Sequence, residues 1–161
     1  MTDFAPTDRI SRVQLVEDRP RARTPEIQQE LDIAIFDLTE DNQFAIAGYE
    51  GSGPYHVGIG MAERLLQISV ANETGDQVAD LHLSLSPLRA TIKDYFQICE
   101  SYFDAVKRLP PSKIEAIDMG RRGIHDEGAR ILTERLEGKF VTDHDTARRL
   151  FTVICALQFR G

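Results

Sequence analysis

The chain has 161 residues, 42% hydrophobic and 28% charged, which is enough for one domain with its own core and too short for two ordinary ones. Nineteen Lys+Arg against 26 Asp+Glu give a net charge of -7, which excludes a whole-molecule positive field that would draw the protein to nucleic acid or an anionic membrane. Cys99 and Cys155 stand alone without C-x-x-C spacing, which excludes an encoded zinc ribbon or disulfide framework and points to a reducing cytoplasm.

Residues 1–8 carry no signal-peptide pattern and read as a loose polar segment, with a single domain expected over 9–161. Ile10 to Val16 predicts a short edge strand, followed by a linker through Glu17, Asp18 and Arg19-Pro20-Arg21-Ala22-Arg23. Thr24 then offers an N-cap with Pro25 at the first helical position, and Ile27, Leu31, Ala34, Ile35 and Leu38 recur at helical spacing, so a helix is expected over 25–41. From Phe44 to Ser86 the period becomes two, as in Tyr55, Val57, Ile59, then Leu66, Ile68, Val70, then Leu81, Leu83, Leu85. The connectors at 61–64 and 72–76 are hairpin-sized, so the sheet is expected to be an antiparallel meander.

Its apolar face needs a helical cover. Ser86-Pro87 suggests a capped start for a helix carrying Leu88, Ile92, Tyr95, Phe96, Cys99, Phe103 and Val106 and ending before Pro110-Pro111. Ser112 and Glu115 have capping-box spacing and open a further helix through Ile114 and Ile117. Gly120, Gly123 and Gly128 each weaken a helix by roughly 1 kcal/mol relative to alanine, so a turn is expected at 120–123, with helicity resuming over 126–137 and stopping at Gly138. Asp143 caps a last helix whose Ala147, Leu150, Phe151, Ile154 and Leu157 face inward. No run reaches the roughly 18 apolar residues of a membrane span, and no membrane partner is expected.

Three stretches of the carboxy-terminal half have a recognisable pattern: Lys93-Asp94-Tyr95-Phe96 with Ile98-Cys99-Glu100-Ser101-Tyr102, Ile114 through Gly123, and Asp143 through Thr152. Together with Ala34-Ile35-Phe36-Asp37-Leu38 and Gly53-Pro54-Tyr55, they resemble the uncharacterised bacterial protein family numbered 0262, over nearly the whole chain from about Arg9. The resemblance implies a cytoplasmic bacterial protein. It brings no established activity, substrate or cofactor, so no catalytic residue is carried over and no cofactor is expected.

Several segments invite chemistry. Gly48 to Gly53 lacks the Gly-Lys-Ser/Thr ending of a phosphate loop and leads into a strand, which favours a turn. Gly-x-Ser-x-Gly is absent, and Cys99 and Cys155 sit on apolar faces where a thiol serves as a small hydrophobe. His125-Asp126-Glu127 and Asp143-His144-Asp145 have the residue types of metal ligands or acid/base pairs, and a metal-dependent hydrolase using His125 and His144 is one alternative. Contiguous helical residues point about 100° apart, however, and Asp118/Arg122, Asp126/Arg130 and Asp145/Arg149 have the spacing of ordinary i,i+4 ion pairs.

Two surfaces stand out. No Lys or Arg lies between Arg23 and Arg64, while Glu26, Glu30, Asp32, Asp37, Glu40, Asp41, Glu50 and Glu63 are all acidic. On helix 25–41, Ile33 and Phe36 fall opposite the core stripe, among Glu26, Glu30, Asp37 and Glu40. Glu30, Ile33, Phe36 and Asp37 are therefore candidate interface residues, unless the helix is buried on two sides.

The second surface is Gly120-Arg121-Arg122-Gly123. In one continuous helix, Arg121 and His125 would fall about 20° either side of Ile114, inside the apolar stripe, where an unpaired guanidinium is costly. A turn there would instead give two arginines beside a fresh helix N-terminus, so Gly120, Arg121, Arg122, Gly123 and His125 form a candidate anion site. In the alternative, both arginines pair with Asp118, Asp126 or Glu127.

The expected architecture is α+β: an antiparallel meander of about four strands, with one helix before it and three or four after it. The leading functional expectation is a non-enzymatic protein-binding or regulatory module with a protein partner or a second copy of itself. The alternative is a binder of RNA or a phosphate ligand, for which the acidic balance allows only weak affinity.

Overall fold

The computed structural model describes residues 3–17 and 22–159; residues 18–21 of the expected linker and residues 1–2 lie outside the described residues. In chain order the elements are β1 (Ile10–Val16), α1 (Pro25–Glu40), β2 (Phe44–Ile46), β3 (Tyr55–Ala62), β4 (Leu65–Ala71), β5 (Gln77–Ser84), α2 (Arg89–Arg108), α3 (Pro111–Leu136), β6 (Phe140–Thr142) and α4 (His144–Gln158). The fold is α+β, with the four helices and a four-stranded sheet of order β1-β3-β4-β5 sharing one core.

β3, β4 and β5 form the antiparallel meander that the alternation predicts, and their register lines up the apolar residues in rows. Val57 lies opposite Val70 and Val70 opposite Ala79; Ile59 lies opposite Ile68 and Ile68 opposite Leu81. β1 joins at the edge as expected, but it runs parallel to β3, so the sheet is mixed. The physical reason is the intervening helix: parallel neighbours need a crossover of a dozen residues or more, and α1 supplies it. At the end of that crossover the Asn42 side chain accepts from the Ile10 N–H at 2.6 Å and donates to the Ile10 C=O at 2.8 Å, closing the start of β1.

β2 leaves the main sheet and pairs with β6, a strand without a periodic signature in the sequence. This small ribbon is held by its rings, with Phe44 5.1 Å from Phe140 and 5.9 Å from Tyr55. Gly48 to Gly53 forms the connection from β2 toward β3, with Gly48 in the left-handed region at φ 72°.

Thr24 caps α1 by accepting from the Ile27 N–H at 3.2 Å, and Asp143 caps α4 by accepting from the Thr146 N–H at 3.1 Å, both as the sequence suggests. Two other expected starts differ. Ser86-Pro87-Leu88 forms a short 3-10 turn that leads into an α2 without a side-chain cap. α3 begins at Pro111, ahead of Ser112, so the capping box does not form; proline at the first position has its φ preset for a helix and starts it two residues ahead of a helix capped by Ser112.

The largest departure is α3 itself, which runs unbroken from Pro111 to Leu136. The turn expected at Gly120-Arg121-Arg122-Gly123 is absent, and so is the helix terminus on which the anion site depends. Packing overrides the propensity cost of the glycines, because α3 packs against both α2 and α4. At Gly128 the approach is close enough that a Cβ would sit 2.6 Å from the fully buried Phe151 ring, whereas at Gly123 it would meet nothing within 4 Å. Gly123→Ala is therefore expected to stabilise the protein by about 1 kcal/mol through helix propensity. Gly128→Ala, with the same propensity gain, is expected to destabilise it by about 1 to 2 kcal/mol, since overpacking outweighs that gain. Urea unfolding of the two variants checks the pair, and shifts of the same sign would show that α3 and α4 do not meet closely at Gly128.

α4 is the centre of the molecule. Residues 150–157 are all buried, so the helix is covered on every side, where the sequence suggests a single inward stripe. α1 and α3 pack along it and β3 lies beneath it. Among the described residues no helix is long and apolar enough to cross a membrane.

Candidate functional site

α1 buries Ile27, Leu31, Ala34 and Leu38 and turns its other side outward. Ile33 and Phe36 lie on that outer side and are 50% and 63% exposed. The reading in which this helix is buried on two sides is thereby set aside. Glu30 and Asp37, the other two candidate interface residues, flank them half-buried.

α1 and α2 both rest on the core but are splayed, leaving a groove between them. Two cavities of about 430 Å³ each lie along it and share Glu26, Phe103 and Lys107 in their walls. One is lined on the α1 side by Glu30 and Ile33 and on the α2 side by Tyr102 and Val106. The other reaches down to Ile27, Cys99 and Phe159. Val106 is 52% exposed, so Ile33 faces a second uncovered apolar side chain across the groove. Isolated exposed apolar residues need no explanation, but two that share one concave surface, beside Phe36, make a patch.

Arg121 closes the floor of this groove from α3. It forms an ion pair with Glu30 of α1, bonds Asp118 at 3.1 Å within its own helix, and lies over the Tyr102 ring at 4.5 Å. Burial draws its pKa down, but Glu30 and Asp118 outweigh burial and hold the guanidinium above its ordinary value. Glu30 has one cation where Arg121 has two anions; burial prevails there, and its carboxyl lies above the usual range. Arg122 points outward and pairs with Asp118 at 3.2 Å. Both arginines of the candidate anion site thus have carboxylate partners, and Gly120 and Gly123 lie mid-helix.

His125, one turn beyond Arg121, stacks on Tyr95 at 5.3 Å between centroids and meets the edge of Phe151 at 6.3 Å. Its Nε2 is buried without a hydrogen-bond partner. Burial, with Arg121 and Arg148 nearby, pushes its pKa down to about 4 against the smaller opposing pull of Asp126 and Asp118. His144 has different surroundings: it lies at the exposed start of α4, with Nε2 3.0 Å from Asp126. The two histidines of the hydrolase alternative are therefore not turned toward a common point. Among the described residues no group of three or more His, Cys, Asp or Glu is placed to hold a metal ion.

The expected i,i+4 pairs are only partly realised. Asp118/Arg122 forms, but Arg130 instead bonds Glu127 and Glu134, and Arg149 donates to the Asp41 carbonyl at 2.7 Å, tying α4 to the end of α1. Cys99 and Cys155 are free and buried. Burial pushes the Cys99 thiol up to about 11 and the Cys155 thiol well above its ordinary value, so both are neutral packing groups at neutral pH. The Glu30–Arg121–Tyr102 knot was beyond sequence reasoning, since its partners are 91 and 19 residues from Arg121; the one signal was the place of Arg121 inside the apolar stripe of a continuous helix.

Compared with known proteins, residues 7–160 match the family model described as Uncharacterised protein family (UPF0262). A UPF0262 protein of Roseobacter denitrificans is 57% identical over 95% of this chain and 99% of its own length. One from Paracoccus denitrificans is 56% identical over 93% and 95%, and one from Jannaschia sp. is 60% identical over 86% and 89%. No solved structure matches the chain.

Proposed function

The chain belongs to the Uncharacterised protein family (UPF0262), and from that premise we propose that it is a non-enzymatic protein-binding module of the bacterial cytoplasm whose interaction surface is the outer face of α1 together with the α1–α2 groove. The carrying observation is the exposure of Ile33 and Phe36 on a face rimmed by carboxylates, beside an open groove that also exposes Val106. A chain that turns Ile27, Leu31, Ala34 and Leu38 inward has no folding reason to place an isoleucine and a phenylalanine on the opposite side. Two free, buried thiols suit a reducing compartment.

Phe36→Asp tests the reading. Circular dichroism should be unchanged and the unfolding free energy should stay within about 0.5 kcal/mol of the parent, as for a surface substitution. The association state in sedimentation, or the capture of a partner from native extract, should change. A loss of several kcal/mol would make Phe36 a structural residue, and unchanged association together with unchanged capture would show that the face is not used.

A further inference from the structure

We infer that the α1–α2 groove receives a cationic amphipathic helix from a partner protein. This rests on the binding-module reading above and adds the chemistry of the partner. The groove's walls are two helices, and its length follows from the residues that line it. Phe96 to Val106 on α2 spans on the order of 15 Å, about three helical turns. Apolar side chains at Ile27, Ile33, Phe103, Val106 and Phe159 are distributed along that length, which suits anchors at i, i+3 or i+4, and i+7 of an incoming helix.

Charge selects the partner's sign. The groove brings together Glu26 and Glu30 of α1, Glu100, Asp104 and Lys107 of α2, and Arg121 of α3. Arg121 is engaged by Glu30 and Asp118 and covered on one side by Tyr102, so it offers no open cation, and Asp104 is held by Arg108. Glu26 and Glu100 have no ion pair of their own among the described residues. Among the described residues that line the groove, Lys107 is the one basic group besides Arg121. Past the groove, α1 continues with Asp37 and Glu40 around Phe36, and no Lys or Arg follows until Arg64. A second copy docking through the same α1 face would set these carboxylates against their own counterparts, which disfavours it.

The test uses the full chain and a labelled synthetic peptide of about four turns, with leucines at helical anchor spacing and Lys and Arg elsewhere. Fluorescence anisotropy compares it with an anionic analogue carrying Glu and with a scrambled cationic peptide of identical composition. The cationic amphipathic peptide should bind, and its affinity should fall as salt is raised. Glu26→Gln combined with Glu100→Lys should weaken it about tenfold, and Ile33→Asp should abolish binding, while Glu50→Lys, a reversal on an exposed loop, should change it less than about twofold. Circular dichroism confirms that each variant is folded. Equal binding of the anionic or the scrambled peptide, no binding of any probe, or an affinity indifferent to the Glu26/Glu100 substitution would overturn the inference. The binding-module reading would survive any of these results if Phe36→Asp still altered association, and would fall with the inference if it did not.

Discussion

Arg121→Met is expected to destabilise the protein by about 2 to 3 kcal/mol. The Glu30 and Arg121 side chains are only 15% and 20% exposed, and removing the guanidinium leaves the Glu30 carboxylate with burial that already raises its pKa and without the cation that opposed it. Breaking one side of a fully buried pair costs about 3 to 5 kcal/mol, and the residual exposure here reduces that. Arg121→Lys keeps the charge but not the fork that reaches Glu30 and Asp118 together, nor the flat face on Tyr102, so it is expected to cost about 1 kcal/mol. The diagnostic variant is the double, Arg121→Met with Glu30→Gln. It should recover part of the loss, because no uncompensated charge remains. Denaturant unfolding of the parent, Arg121→Met, Glu30→Gln and the double variant closes the cycle. A single Arg121→Met variant within about 0.5 kcal/mol of the parent would show that the pair does not hold α1 to α3.

The same residue shows where the sequence was legible and where it stopped being so. Much that local pattern governs was readable: the Thr24 and Asp143 caps, the inward stripe of α1, the alternation of β3 to β5, and the outward position of Ile33 and Phe36. The direction of β1 was not, because alternation marks a strand without marking its neighbour, and the pairing depends on α1 crossing over. β6 was missed because three residues are too few to show a period. At Gly120 to Gly123 the sequence posed a true conflict, since a continuous helix puts Arg121 and His125 into an apolar stripe. The conflict was resolved in the wrong place. The chain keeps the helix and accommodates the polar groups instead, with Glu30 from a distant helix for Arg121 and a stack of rings for His125. A partner 91 residues away has no local signature.

For His125 the expected result is a loss of stability in mild acid. Its ordinary pKa of 6.5 is lowered to about 4 in the folded protein, first by burial and then by Arg121 and Arg148. Above pH 6.5 the imidazole is neutral in both the folded and unfolded chain and contributes no pH dependence. Between 6.5 and 4 the unfolded chain takes up a proton that the folded one refuses, so stability falls as the pH falls, and below 4 this contribution levels off. At about 1.4 kcal/mol per pH unit the loss is about 3 kcal/mol. Asp126, held below its ordinary value chiefly by the bond from His144, adds to the acid loss at lower pH, while Glu30, raised by burial, works against it. The raw curve is therefore a sum, and the informative quantity is the difference from a variant that lacks the proton. His125→Phe keeps a ring between Tyr95 and Phe151 and removes the buried Nε2 that has no partner. It should match or slightly exceed the parent at pH 7, then gain on it by about 3 kcal/mol toward pH 4. Urea unfolding across that range measures the gain, and parallel curves for the two proteins would mean that His125 protonates in place, without leaving its stack.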